Sequence, residues 1–275
     1  MPIRFTKLSA TGNDFILFDN RAGLFRGDEK KIFRALCTRR VAIGADGILL
    51  IENPPSPSLR FTPSRFIMRY FNRDGCESEM CGNGARACAF YAFHRGLAPA
   101  EMQFEVSGDA YHAVVTGGKV RLRMQKPRDL NLHPRALEEV KLQEGGYVNT
   151  GVPHYVLFVS DVDDVEVARL GAKYRQHSNF QPAGTNVNFV AVTSGSHLHL
   201  RTYERGVEEE TLACGTGAVA SAVLAHLKKG MPFPIHLSTR GGELTVYGDS
   251  NFEKLELEGD VRLVYNGEFD LENFT

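Results

Sequence analysis

The chain repeats itself, and the repeat constrains its fold more than any other feature. Residues 66–93 read FIMRYFNRDGCESEMCGNGARACAFYAF, and residues 198–226 read LHLRTYERGVEEETLACGTGAVASAVLAH. Phe66 to Asn72 lies over Leu198 to Glu204 at an offset of 132, and Cys81 to Ala85 lies over Cys214 to Ala218 at 133. One inserted residue therefore separates the two copies. Downstream, GGKVRLRMQKP (117–127) resembles FEKLELEGDV (252–261), each an alternation of charged and apolar residues that reads as a β-strand. Upstream, GNDFILFD (12–19) resembles TNVNFVAV (185–192). Four elements matching in order and spacing argue for duplication over a chance likeness between two Gly-rich turns.

Each half reads as strands, a Gly-rich turn, one long helix and more strands. Ala85–Arg95 and Ala218–Lys229 are alanine-rich and apolar on nearly every face, so each is expected to be a buried helix, with Gly96 and Gly230 as its stop. Strand patterns cover Ile3–Lys7, Phe15–Asp19, Gly47–Ile51, Arg65–Phe71, Val120–Met124, Tyr155–Val159, Asn188–Val192, His197–Tyr203 and Lys254–Leu257. The expected class is α+β: two pseudo-symmetric domains, each a sheet wrapped around a central helix, with an active site in the cleft between them. The partly periodic segment Pro127–Gly146 suggests the boundary, giving 1–130 with Cys81 and 131–275 with Cys214.

With 275 residues the chain can bury a full core without staples. Its 32 basic and 33 acidic residues give no surface suited to nucleic acid or membrane, and no run approaches the length of a membrane span. The opening MPIRFTKLSATGNDF has no apolar core long enough for a signal peptide. Five cysteines, at 37, 76, 81, 88 and 214, make an odd number, so reduced thiols in a cytoplasm are expected over a disulfide framework. Their spacing matches no zinc site.

Two of those cysteines stand where chemistry is expected. Cys81 and Cys214 each precede Gly-x-Gly-Ala and a helix, so each sulfur should sit at a helix N-terminus. Unpaired N–H groups and the helix dipole favour negative charge there, which lowers a thiol's pKa toward neutrality. The glycines allow a small ligand close to the backbone, whose N–H groups can bind a carboxylate. One such turn is most simply tight packing around an inert thiol. Two related by a pseudo-twofold can flank a bound stereocentre, one removing a proton and the other supplying one from the opposite face. A redox dithiol is the alternative, but CxxC spacing is absent.

At these residues the chain resembles the diaminopimelate epimerase family over nearly its whole length. The matching pieces are KLSATGNDFILFD, RRVAIGADGILL, YFNRDGCESEMCGNGARA, TGVPHYV, TNVNFV, RTYERG and ETLACGTGA. The resemblance implies epimerisation of LL- to meso-diaminopimelate for lysine and peptidoglycan precursors, with neither pyridoxal phosphate nor metal, by a homodimer. It implies that Cys81 and Cys214 are the catalytic bases. His154 and Glu204 would tune the thiols and hold the reacting amino acid. Asn13, Asn72 and Asn186 would meet the distal end of the substrate, Glu204 and Arg205 an ammonium and a carboxylate. Gly82, Asn83, Gly215 and Thr216 would supply donors around the reacting carboxylate.

Three positions depart from the common pattern. Val152 stands where many members have asparagine, Gly47 where some have glutamine, and ERGVEEET carries an extra acidic residue, its Glu208–Glu210 run reading as solvated. Other readings compete. A two-lobed amino-acid-binding protein would explain the duplication but not two helix-capping cysteines. A proline racemase shares the thiol pair but not the ERG motif, and a non-racemising isomerase of the same fold would lack one or both cysteines.

Overall fold

The computed structural model describes residues 2–26, 28–54, 66–78, 80–134 and 144–274. Its contacts divide the chain into two units, Met1–Leu122 with Gly259–Thr275, and Arg123–Glu258. Arg65 of the expected strand 65–71, and residues 135–143 of the expected boundary segment, lie outside the described residues.

The first unit runs β1 (Pro2–Ala10), β2 (Asn13–Asp19), α1 (Lys30–Cys37), β3 (Gly47–Glu52), β4 (Ile67–Asn72), β5 (Glu77–Ser78), α2 (Gly82–His94), β6 (Glu101–Val106), β7 (Asp109–Thr116) and β8 (Lys119–Arg123). The second runs β9 (Arg128–Asn131), β10 (Gly145–Asn149), β11 (Pro153–Phe158), α3 (Val167–Arg175), β12 (Asn186–Ser194), β13 (His197–Glu204), β14 (Glu209–Thr211), α4 (Gly215–Lys229), β15 (Ile235–Thr239), β16 (Gly242–Tyr247) and the start of β17 (Glu256–Asp270). From Gly259 onward β17 belongs to the first unit.

In the first unit β1 pairs antiparallel with β2, β2 parallel with β3, and β3 antiparallel with β4. One edge of β4 is shared between β5 and the parallel β6; β6, β7 and β8 then form an antiparallel meander. β17 pairs with β1 along Val261–Asp270, and its Val261 N–H donates to the Gly118 carbonyl beside β8 at 2.8 Å, which closes this sheet on itself. α2 packs on β1, β2, β3, β4 and β7 and is buried from Gly82 to Ala92, which accounts for its lack of a polar face. α1 covers the other side of the sheet, where Phe33 and Leu36 join Phe5, Ile16, Phe18, Ile48 and Phe71. Strands covered on both faces read as continuous apolar runs, as FILF and ILLI do.

The second unit pairs its strands in the same order. β10 is antiparallel to β11, β11 parallel to β12, and β12 antiparallel to β13. β14 and the parallel β15 share one edge of β13, and β15 continues antiparallel into β16. α4 is buried along most of its length and packs on β10, β11, β12, β13 and β16, while α3 covers Tyr155, Val187, Phe189 and Tyr203. Gly230 ends α4 in the left-handed conformation at φ 66°, the stop that its position implied.

Two details differ from the sequence reading. By position, β12 is the counterpart of β3 and not of β2, because β2 precedes α1 whereas β12 follows α3. The two runs look alike because both are buried strands flanked by asparagine. The first chain crossing between units comes at 122/123, ahead of 130/131, and 259–275 return to the first unit. The physical reason is β17, whose register with β1 runs from Asp270 opposite Pro2 to Val261 opposite Ala10. Among the described residues no helix is long and apolar enough to cross a membrane.

Candidate active site

In both units a short hairpin delivers a cysteine to a helix start. In the first, β4 turns at Asn72–Cys76 into β5, and Cys81 then caps α2 in extended backbone (φ −134°, ψ 113°). Its carbonyl accepts the first helical hydrogen bond, from Ala85 at 2.8 Å. Its sulfur accepts from the Gly84 N–H at 3.4 Å, so the thiol takes the part that serine or aspartate usually plays. Gly84 is tightly packed: a Cβ there would lie 3.0 Å from Leu49 Cδ2 and 3.2 Å from Met68 Cε, so both side-chain ends would have to give. Gly82 differs, because a Cβ there would meet nothing within 4 Å.

Asn83 and Asn13 meet directly, the Asn83 amide donating to Asn13 Oδ1 at 2.6 Å. Asn13 in turn donates to Asp46 at 3.1 Å. Asp46 belongs to an ion cluster in which Arg39 bridges Asp14 and Asp46 and Lys7 pairs with Asp14 at 2.8 Å. Burial works against ionisation of Asp14, but hydrogen bonds from Arg39 and Lys7 outweigh it and hold its carboxyl below the ordinary value. Asn72 is exposed at the end of β4, opposite Gly47 in the β3–β4 register. A Cβ on Gly47 would come within 2.5 Å of Tyr70 Cε2 and 2.6 Å of the Phe71 carbonyl, so the ring of Tyr70 covers the place a longer side chain would need. Arg86, one turn into α2, donates to Thr11 Oγ1, the Asp260 carbonyl and Asn83 Oδ1.

In the second unit Cys214 caps α4, also in extended backbone (φ −124°, ψ 114°), and is 6% exposed. Its sulfur lies 3.5 Å from Thr216 Oγ1. Thr216 Oγ1 is 2.9 Å from His154 Nε2, and His154 Nδ1 is 3.0 Å from the Asn188 amide nitrogen. With that amide donating to Nδ1, the ring proton sits on Nε2 and is donated to Thr216, whose hydroxyl can then donate to sulfur. His154 is fully buried, and that burial pushes its pKa down to about 3, with the Arg205 charge adding to the effect. The ring is therefore neutral near pH 7. It acts on Cys214 through Thr216. Gly217 is fixed more firmly, since a Cβ there would lie 2.7 Å from Asn188 Oδ1.

Asn186, beside His154 in the β11–β12 register, accepts the Arg205 backbone N–H at 2.7 Å. The Arg205 guanidinium reaches the Ala183 carbonyl at 3.2 Å, and Thr211 donates to Glu204. The Glu208–Glu210 run is not simply solvated. Pairing of β14 with β13 turns Glu210 onto Arg201 at 2.7 Å, with Arg240 at 3.1 Å, while Glu208 pairs with Arg175 at 2.8 Å.

The expected site residues thus divide between the units: Asn13, Asn72, Cys81, Gly82 and Asn83 in one, of which Asn13 and Asn83 are bonded, and His154, Asn186, Glu204, Arg205, Cys214, Gly215 and Thr216 in the other. Asn188, Thr202, Thr11, Asp46 and Arg86 extend these sets beyond the sequence reading. Asn188 follows Asn186 in strand alternation, and its carbonyl accepts from Thr202 at 2.9 Å; an alternating polar residue in a buried strand is the signal that marks it. Cys37 and Cys88 stand apart, since burial pushes Cys37 up to about 12 and Cys88 well above the ordinary thiol value.

The profile of the diaminopimelate epimerase family matches residues 5–128 and 146–264. The chain is 40% identical to a diaminopimelate epimerase of Aquifex aeolicus, covering 96% of this chain and 97% of the relative. It is 39% identical to one of Chlorobaculum tepidum, covering 96% and 100%. Among solved structures, a phenazine biosynthesis protein of the PhzF family from Bacillus anthracis superposes with a TM-score of 0.73 at 16% identity, covering 98% of this chain and 99% of that one. A probable proline racemase from Agrobacterium radiobacter gives 0.69 at 12%, covering 99% and 94%. Those two likenesses are of fold alone.

Proposed function

The chain belongs to the diaminopimelate epimerase family, and from that premise we propose that it interconverts LL- and meso-diaminopimelate by a two-base thiol mechanism without a cofactor. The observation that carries this reading is the repeated one: in each unit a cysteine caps the N-terminus of a buried helix. In the proposed arrangement the two halves, read as copies of one ancestral unit, enclose the substrate in a cleft. Cys81 and Cys214 then address opposite faces of its α-carbon. One sulfur, as thiolate, takes the α-proton, and the other, as thiol, returns a proton to the far face.

The α-hydrogen of an amino acid is far less acidic than a thiol, so the burden falls on holding the carbanion. The first-turn N–H groups of α2 and α4 have no partners within their helices. Gly82, Asn83, Gly215 and Thr216 bring them to the reacting carboxylate, and one such donor is worth roughly 3–4 kcal/mol in the transition state. Asn13, Asn72 and Asn186 are assigned to the distal amino-acid group, and Glu204 and Arg205 to the ammonium and carboxylate, the guanidinium offering a planar fork. His154 and Thr216 form the proton-tuning chain behind Cys214. A homodimer in the cytoplasm completes the reading.

The experiment is incubation of reduced protein with LL-diaminopimelate in deuterated water. Deuterium at the α-carbon together with meso product supports substrate and reaction. Exchange with proline in place of diaminopimelate keeps the chemistry and overturns the substrate; no exchange with any amino acid favours a binding protein. Cys81→Ala and Cys214→Ala should each nearly abolish epimerisation in both directions. An active single variant would sink the two-base scheme.

A further inference from the structure

Arg86 is a charge without an obvious counter-charge. It is among the largest fully buried side chains of the protein. Its guanidinium donates to Thr11 Oγ1 from both terminal nitrogens at 3.1 Å, to the Asp260 carbonyl at 3.4 Å and to Asn83 Oδ1 at 2.6 Å. All of these acceptors are neutral. Among the described residues no carboxylate hydrogen-bonds it, and its Nε, also buried, has no partner. Desolvation lowers its pKa to about 10, which leaves it charged at neutral pH. A buried cation held only by neutral acceptors is costly unless a counter-charge stands nearby.

The candidate counter-charge lies at the start of the same helix. Side chains on a helix lean toward its N-terminus, and the Arg86–Asn83 bond places the guanidinium back over the first turn of α2. The residue that caps that turn is Cys81, whose sulfur already accepts the Gly84 N–H. Of the groups that favour the charged form of Arg86, Cys81 acts most strongly and Asp260 next. The attraction is reciprocal: whatever the thiolate does for the guanidinium, the guanidinium does for the thiolate.

We propose that Arg86 is a positioning residue for the reaction, the fixed buried cation that lets Cys81 exist as a thiolate inside the folded first unit. It does so from behind, through Asn83, without touching substrate. The same bond holds the Asn83 amide so that its nitrogen donates to Asn13, which ties the charge to the residues assigned to the substrate. The inference rests on the reading of Cys81 as a reacting thiol.

Among the described residues, other ionisable groups flank the pair from several elements. Asp260 comes from β17 and Cys88 from α2 itself. β1 and β2 bring Lys7 and Asp14, which are paired with each other and with Arg39. β3 and β4 present Leu49 and Met68 to the helix start, and the buried side of β7 carries Tyr111, Ala113 and Val115.

The test reads the thiol itself. Full-length reduced protein is alkylated with iodoacetamide from pH 5 to 10, and the modification of each cysteine is followed by peptide mass spectrometry. Arg86→Met should move the midpoint of the Cys81 profile up by one unit or more, slowing alkylation at pH 7 by about tenfold or more. Cys214, in the other unit, should keep its profile, and Arg86→Lys should restore Cys81 to within about threefold of the parent. If Arg86→Met does not fold, Arg86→Gln removes the charge while keeping a donor, and the same shift is expected. A folded charge-free variant with an unshifted Cys81 profile overturns the proposal, as does an equal shift at both cysteines. The readout needs no substrate, so the two readings fail separately: absent diaminopimelate exchange with a shifted profile overturns only the substrate, and an unshifted profile in an exchanging enzyme overturns only Arg86.

Discussion

At Cys214 the sulfur and a fully buried histidine are separated by one hydroxyl, and the order matters for pH. His154 is held near 3 in the fold, below its ordinary value near 6.5. The unfolded chain therefore binds more protons than the native one across that interval. Its contribution to stability is complete above about pH 6.5 and is lost as pH falls toward 3, with a slope of at most about 1.4 kcal/mol per pH unit. Thermal unfolding followed between pH 7 and 4.5 should show His154→Gln losing stability less steeply than the parent; parallel curves would mean that the ring is not held neutral. Thr216→Val removes the link itself. It leaves the His154 N–H buried without an acceptor, a cost of about 1–3 kcal/mol, and takes a donor from Cys214. Alkylation of Cys214 should slow in that variant while Cys81 keeps its rate.

Among the elements, the Cys-Gly-x-Gly starts of α2 and α4 separate packing from function within four residues. Alanine in a helix interior normally gains about 0.5–1 kcal/mol over glycine. Gly217→Ala should instead destabilise by about 1–3 kcal/mol, because its Cβ would press on Asn188 Oδ1, which is part of a buried network and not a flexible tip. Gly82→Ala has open space and should be neutral or stabilising in a denaturant titration, yet should lose activity, since the added methyl enters the region assigned to substrate. A fully active Gly82→Ala protein would move the substrate away from this turn. These helices were legible in the sequence because they are apolar all round and end at glycine. α1 and α3 were not: they are eight and nine residues long, and their N-caps, Glu29 and Glu166, make no side-chain capping bond. Their place is set by the sheet face each one covers. The thiol positions were legible from residue pattern and Asn188 is marked by strand alternation, whereas Arg86 and Thr11 were not legible, because what marks them is burial with particular partners, and burial is a property of the folded unit.

On the scale of the whole chain, a local reading of sequence fails where the ends meet. VRLVYNGEFD at 261–270 is half apolar but keeps no strict alternation to announce a core strand, and much of it is exposed, yet it supplies β1 with its second neighbour and reaches β8 through Val261. Phe269 lies 6.3 Å from Phe5 and 6.0 Å from Phe18, and Leu271 and Phe274 pack on the same cluster as α1. The first unit is thus completed only by the last residues of the chain, with 123–258 inserted between its parts. Ending the chain after Asp270 should cost the first unit about 2–3 kcal/mol through the lost burial of Leu271 and Phe274. Ending it after Glu258 should do far more, because β1 would lose its ladder of backbone bonds to 261–270, Gly118 would lose its bond from Val261, and the Phe5 cluster would open to water. Hydrogen exchange resolved by segment separates the cases: the longer truncation should strip protection from β1, β2 and β8 while β12 and β13 keep theirs. Equal loss in both units would mean that the second unit cannot hold its fold alone, and retained protection in β1 would mean that the closing strand is dispensable to the sheet it completes.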